Sequence, residues 1–334
     1  MIVFFDSKHD RGGGQVALER LLELLAGEKD VRLVMPSDGY AAITVPPSVQ
    51  HLASSSELVP GSEPMTLVAN ANAAFPDLVR TARRLRGAGT PVRTVAIIHN
   101  YPQLAAKGAA TKLALRFVDV AIAVEPGLRA LRSDVLIPSW LSVQDGTRAA
   151  ELSRTTIERT GRVKCYGRPD KSKGLHLLPT IFSRLQSDGF SCEVALGKAL
   201  EDQDTYRLRL AAALAPWLTD GPRTPEWIDP GDIFLVPSIS GEAACLSAQE
   251  AMSNGAFVVA SRIGLMPYLS PTNQGMRTFA IGDVKGATAA LRQALTMQMS
   301  DFSEEVRGST ALMAQRAGRW YDETVRIILA QQGT

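Results

Sequence analysis

Cysteine is scarce in this chain of 334 residues: Cys165, Cys192 and Cys245 are the only three. None stands at CxxC spacing, which excludes a paired-cysteine metal site and a disulfide framework and fits a reducing compartment. Long hydrophobic runs are missing as well; no uninterrupted apolar stretch approaches the ~20 residues of a membrane-spanning helix. The N-terminus opens on the strand-like Ile2-Val3-Phe4-Phe5 instead of a basic segment and a long apolar run, so no signal peptide is read there. The expectation is a cytoplasmic protein, with the inner face of the membrane as a peripheral alternative. An excess of one charge is also absent. The net charge is +2, which gives no bulk argument for nucleic acid, and no nucleic-acid partner is expected. Low-complexity tracts and a fixed solenoid period are lacking too.

The charge that is present is unevenly placed. Residues 80–132 hold ten Lys and Arg against Asp119 and Glu125, whereas residues 1–79 carry a net −5. Within the basic part, residues 76–86 read as an amphipathic helix bearing Arg80, Arg83, Arg84 and Arg86. Such a helix has two readings: a peripheral contact with an anionic membrane, or a sheet-covering helix with a charged outer face.

Short apolar runs alternate with helical patterns along the chain. Strands are expected over 2–5, 31–35, 66–69, 94–98, 120–124 and 135–137, then over 163–166, 192–196, 233–236 and 257–260. Helical spacing follows at 15–25, 76–86, 111–117 and 126–132, then at 175–187, 205–214 and 247–253, with a long helix over 314–331. This alternation predicts α/β architecture: two Rossmann-like domains, each a parallel sheet covered on both faces. The expected division is 1–145, 146–313 and a C-terminal helical segment, 314–334. In open parallel sheets ligands bind beyond the carboxyl ends of the strands, and the residues of chemical interest all follow predicted strands.

Arg11-Gly12-Gly13-Gly14 joins the first strand to the first helix. By itself the triplet reads as a tight turn; it also suits close approach of an anion to a helix N-terminus. It is neither GxGxxG nor GxxxxGK[ST], so dinucleotide and P-loop readings lose support. His99 ends the strand over 94–98. Arg168 and Lys173 occupy a loop that closes on Gly174 and enters a helix; a planar fork and a mobile point charge together suit two phosphates, as they also suit a solvated surface. Asp202-Gln203-Asp204 opens a helix, where acidic residues serve as caps, and is not read as a metal site. Glu242 and Glu250 stand eight apart around small residues that include Ala244, Cys245 and Leu246.

Taken together, these residues resemble the retaining glycosyltransferases of the GT-B fold, in particular the large bacterial family 4 group. The resemblance rests on Gly12–Gly14, His99, Gly167-Arg168 with Lys173-Gly174, and the E-x7-E pair Glu242 and Glu250 inside Asp-Ile-Phe-Leu-Val-Pro-Ser … Glu-Ala-Met … Gly-Ala-Phe-Val-Val-Ala-Ser. It implies domains facing across a cleft, the first for the acceptor and the second for the donor, with the C-terminal helix crossing back to the first. It further implies a nucleotide-diphosphate sugar donor, a UDP-sugar first and a GDP-sugar as the alternative, with no cofactor and no metal. Arg168, Lys173 and the N–H groups near Ala244, Cys245 and Leu246 would hold the diphosphate. Glu242 would contact the donor sugar and Glu250 the ribose; Gly13 and Gly14 would admit the diphosphate, and His99 would lie by the transferred sugar.

The chain departs from that pattern in places. Ile263-Gly264-Leu265-Met266-Pro267-Tyr268 replaces a Gly-Gly-acidic run, residues 217–230 replace a strand and loop that help hold the base, and Glu125 stands where Ser is common. The acceptor is left open between glycan, lipid-linked and small-molecule classes. A nucleotide-sugar epimerase and a non-catalytic sugar-nucleotide-binding partner are the competing functions.

Overall fold

In the computed structural model the chain divides into two α/β units, Met1–Trp140 with Arg319–Thr334, and Leu141–Gly318. The structure describes all residues except 8–12, 28, 42, 100–104, 125–133, 138–142, 198–203, 220–224, 241, 243–244 and 331–334. Its strands are β1 (Ile2–Phe5), β2 (Val31–Val34), β3 (Gln50–Leu52), β4 (Met65–Ala69), β5 (Val92–Ile98), β6 (Val120–Ala123), β7 (Val135–Leu136), β8 (Arg162–Gly167), β9 (Ser191–Leu196), β10 (Ile233–Val236), β11 (Phe257–Ser261) and β12 (Met276–Phe279). Its α-helices are α1 (Gly13–Leu25), α2 (Ser37–Ala41), α3 (Phe75–Gly87), α4 (Ala105–Leu115), α5 (Val143–Leu152), α6 (Leu178–Ser187), α7 (Asp204–Leu214), α8 (Leu246–Ser253), α9 (Met266–Leu269), α10 (Val284–Thr296), α11 (Met299–Arg316) and α12 (Arg319–Leu329).

The first unit holds a seven-stranded sheet in the order β3-β2-β1-β4-β5-β6-β7, parallel throughout. The central strands are apolar on both faces, as Ile2, Val3, Phe4 and Phe5 are all buried, because helices cover both sides. From β1 the chain builds β2 and β3 on one side, then returns to place β4 on the other. The switch point therefore lies between β1 and β4, where register pairs Phe5 with Ala69. Their successors Asp6 and Asn70 are thus neighbours beyond the carboxyl ends of the strands.

The second unit repeats this logic with five parallel strands, β12-β11-β10-β8-β9. Its switch point lies between β8 and β10. Phe182, Leu185, Ile233, Leu235, Phe257 and Phe302 are among its buried core residues. Leu218 adds a single parallel bridge to Val194 at the β9 edge, with Thr219 N donating to Val194 O at 3.0 Å. So Leu218 and Thr219 touch the sheet, and among the described residues of 217–230 no full strand forms there.

The structure differs from the sequence reading in its helices. The long helix expected over 314–331 is interrupted: Ala314–Arg316 end α11, Ala317 turns extended, and Gly318 takes φ 78° before α12 begins. Only glycine adopts that angle without strain. The break lets α12 belong to the first unit, where Trp320 is fully buried, Arg20 donates to Tyr321 OH at 3.5 Å, and α12 packs on α1. Residues 143–152, outside the helices expected above, form α5 and pack on α11 and α8. The helix expected over 126–132 lies outside the described residues.

Candidate functional site

At the switch point of the second unit two loops are bound together. After β8, Lys171–Lys173 make one 3-10 turn that ends on Gly174 at φ 66°. After β10 the chain runs through Pro237 and Ser238, and Ile239 N and Ser240 N both donate to Ser172 O, at 2.7 and 3.2 Å. Gly174 faces the Pro237 carbonyl so closely that a Cβ there would lie 1.9 Å from its oxygen.

This junction brings Lys173 and Glu242 together. Lys173 Nζ donates to Glu242 Oε1 in an ion pair, and Ser238 Oγ donates to the same carboxylate oxygen at 2.7 Å. Ser238 is held in turn by Ser261 Oγ, which donates to its carbonyl. The Glu242 side chain is 8% exposed and that of Lys173 24%. Burial works against the charge on Lys173, but Glu242 outweighs it, so its pKa is raised and the ammonium persists. Cys245 is buried beside the pair; burial, then Glu242, pushes its thiol well up, so it stays protonated and is no nucleophile.

Cys245 adopts the left-handed conformation, φ 43°, directly before α8, and no side chain caps this helix. Ala248 N and Gln249 N donate to Cys245 O. The first-turn N–H groups at Leu246 thus stand at the positive end of the helix, which suits an anion. One turn on, Glu250 accepts a hydrogen bond from Tyr166 OH at 3.2 Å. The Tyr166 ring lies 5.0 Å from Phe234 and 6.4 Å from Trp227. Burial first, then Glu250, raises its pKa well above 10, so Tyr166 remains a neutral donor.

Arg168 is no direct partner of the Lys173–Glu242 pair, although its charge acts on Lys173. Its side chain is 42% exposed and its guanidinium approaches Asp170 only to 3.7 Å. Ala244 and its neighbour Ala243 lie outside the described residues. So do Asp202 and Gln203, and Asp204 opens α7. Among the described residues no group of three or more His, Cys, Asp and Glu is arranged to hold a metal ion.

The first unit has its own polar cluster at its switch point. His99 Nε2 lies 2.9 Å from Asn70 Oδ1, Asn70 Nδ2 donates to Asp6 Oδ2 at 2.7 Å and to Gly14 O at 3.1 Å, and Gln15 Nε2 reaches Asp6 Oδ2 at 3.3 Å. All four side chains are at most 5% exposed. Gly13 begins α1; Gly14 follows in the helix, where a Cβ would meet the His99 ring at an ordinary 3.6–3.8 Å, so no positive φ requires it. The freedom of φ expected of the glycine run does not apply to Gly14. Asp6, Asn70, Tyr166 and Ser238 were not singled out in the sequence, although Asp6 and Asn70 directly follow strands just as His99 does.

Three of the four arginines of α3 are engaged within the fold. Arg84 donates to Leu58 O and Ser55 O at 3.0 and 2.8 Å, and Arg86 pairs with Asp119 at 2.7 Å and donates to Val92 O. Arg83 stacks 4.3 Å over the Phe117 ring, and Arg80 extends into solvent near Asp77. Among the described residues no helix is long and apolar enough to cross a membrane.

Similar solved structures extend over both units. HepE (Alr3699) of Anabaena in complex with UDP is 15% identical with a TM-score of 0.73, over 98% of this chain and 99% of that one. The sucrose-phosphate synthase of Thermosynechococcus elongatus is 15% identical with a TM-score of 0.70, over 98% and 96%. The UDP-forming α,α-trehalose-phosphate synthase of Burkholderia vietnamiensis is 12% identical with a TM-score of 0.69, over 98% and 99%. At such identities the likeness shows the fold, the pair of Rossmann-like domains of the GT-B class. No curated protein matches the chain. Residues 161–297, which contain Arg168, Lys173, Glu242, Cys245, Leu246 and Glu250, match the family of glycosyl transferases group 1.

Proposed function

We propose that this protein is a retaining glycosyltransferase that moves a hexose from a nucleotide-diphosphate sugar to an acceptor hydroxyl without a metal ion. One observation carries the reading: Lys173 held on Glu242, beside the uncapped start of α8, at the switch point of the sheet that matches glycosyl transferases group 1. In the transfer the bond from the anomeric carbon to the diphosphate breaks while the acceptor oxygen bonds to that carbon and passes its proton to the departing diphosphate oxygen. Negative charge grows on the leaving diphosphate and positive charge on the sugar ring. Lys173 and the N–H groups at Cys245 and Leu246 are placed to stabilise the former, and Arg168 and Ala244 are assigned the same role. Glu242 holds sugar hydroxyls, Glu250 the ribose, and His99 serves the transferred sugar, with Gly13 and Gly14 admitting the diphosphate. On this reading the first unit takes the acceptor and the second the donor.

A UDP-sugar is the proposed donor, in keeping with similar structures that hold UDP, or UDP and glucose; a GDP-sugar is the alternative. Thermal-shift titration with UDP, GDP, ADP and TDP and their sugars tests this, because a ligand of the native state alone raises its melting temperature. The expected result is stabilisation by the uridine compounds, unchanged by EDTA, with slow donor hydrolysis. No stabilisation by any nucleotide would favour a non-catalytic partner protein, and a free isomerised sugar nucleotide would identify an epimerase.

For the acceptor, one surface favours a molecule at an anionic membrane. Leu113 and Phe117 are 56% and 44% exposed one turn apart, beside Lys112, Arg116 and the stacked Arg83. This apolar and basic face suits shallow insertion among anionic headgroups. It replaces Arg84 and Arg86 as the contact, since those are engaged internally. Replacing Leu113 and Phe117 with Ser should abolish cosedimentation with phosphatidylglycerol vesicles; unchanged cosedimentation would leave a soluble acceptor.

A further inference from the structure

The cluster in the first unit fixes more than the position of His99. Asn70 Nδ2 lies within hydrogen-bond distance of two acceptors, Asp6 Oδ2 at 2.7 Å and Gly14 O at 3.1 Å. Turned the other way, the amide would set its oxygen against a carboxylate and a carbonyl. The orientation is therefore dictated by chemistry, and Oδ1 is the atom that faces His99 Nε2 at 2.9 Å. An amide oxygen only accepts, so Nε2 must carry a hydrogen.

We propose that Asp6 and Asn70 are positioning residues that hold His99 as its Nε2–H tautomer, with the Asn70 amide separating the Asp6 charge from the ring. The strand register explains how they meet. Asp6 and Asn70 succeed the paired residues Phe5 and Ala69, Asn70 N donates to Phe5 O at 2.9 Å, and His99 succeeds Ile98 on the next strand. Gly14 lies against the face of the imidazole. Burial of Asp6, Gln15, Asn70 and His99 keeps water from competing for these bonds. The carboxylate that the Asn70 amide contacts is that of Asp6. A carboxylate directly on Nε2 would favour the imidazolium; the intervening amide transmits orientation without placing a full charge on the ring. Neutral His99 then keeps its lone pair on Nδ1.

The inference rests on the role of His99 proposed above, but its test does not need activity. Long-range 1H–15N spectra of the four histidines, with His99→Gln to assign the signal, report tautomer and titration directly. Neutral His99 is expected to show the Nε2–H pattern; the Nδ1–H pattern would overturn the proposal. Exchanging the charge, Asp6→Asn with Asn70→Asp, keeps the polar groups but sets a carboxylate against Nε2. The His99 midpoint should then rise by about one to three pH units, and an unmoved midpoint would overturn the insulating role. If the transferase reading also holds, the acid limb of kcat/KM moves up with it. A fixed tautomer in a protein that turns over no donor would refute that reading alone.

Discussion

Replacing Gly174 with Ala tests whether the junction of the two loops in the second unit is sterically compulsory. Gly174 and Gly189 both adopt left-handed backbone, φ 66° and 86°, and both lie in the second unit. An added Cβ at Gly189 meets nothing within 4 Å, so Gly189→Ala carries conformational strain alone, about 1–2 kcal/mol. At Gly174 the same Cβ would lie 1.9 Å from the Pro237 oxygen and 2.8 Å from its carbon. Restoring a 3 Å contact needs a shift of about 1 Å in a backbone that Ile239 and Ser240 tie to Ser172, and such overpacking costs a further ~1–3 kcal/mol. Gly174→Ala should therefore lose about 2–5 kcal/mol. Urea unfolding of the second unit, monitored at Trp217, which is buried against Phe182, compares the pair in one transition. A common unfolded-state contribution cancels in the difference. Equal losses, within about 0.5 kcal/mol, would refute the claim that this contact sets the distance between the loops.

Other expectations follow from the same geometry. Glu242→Gln should cost about 1–3 kcal/mol, less than the 3–5 of a fully buried pair because Lys173 keeps some contact with water, and should lower turnover at least tenfold; chemical denaturation and donor consumption measure the two. The raised pKa of Lys173 means that its stabilising contribution is whole below the ordinary 10.5 and is lost as pH rises through the higher folded value. Wild-type and Lys173→Met stability curves should therefore converge only in strong alkali, and a constant gap through that range would contradict the assignment. Tyr166→Phe removes one hydrogen bond to Glu250 and should weaken nucleotide binding several-fold by calorimetry, with about 0.5–1.5 kcal/mol lost. Arg168→Ala, at an exposed side chain, should leave stability within about 0.5 kcal/mol while donor turnover falls; unchanged turnover would remove Arg168 from the site.

Much of this protein was legible as periodicity. Apolar runs too short to be helices, separated by amphipathic segments, required parallel sheets covered on both faces, and each main sheet strand from β1 to β11 except the short β3 was marked by such a run. The edge strands β3 and β12 were not marked, because their burial is partial and their alternation short. The interrupted helix at Gly318 could not be told from a continuous one, since a single glycine within a helical pattern has two outcomes and packing of Trp320 in the first unit selects between them. Lys173 and Glu242 were each recognised beside a strand end, yet nothing in their separation along the chain states that they form an ion pair.

The sequence by itself determined the two parallel-sheet units and the strand ends from which chemistry is built, because those follow from side-chain period and from which residues tolerate burial. Strand order was decided only in three dimensions. It is the return of the chain across β1 and across β8 that sets Asp6 next to Asn70, and the β8 loop next to the β10 loop. Hydrogen-bond direction was decided there as well: Asn70 has one orientation because two acceptors converge on its nitrogen, and those acceptors come from parts of the chain that meet only after folding.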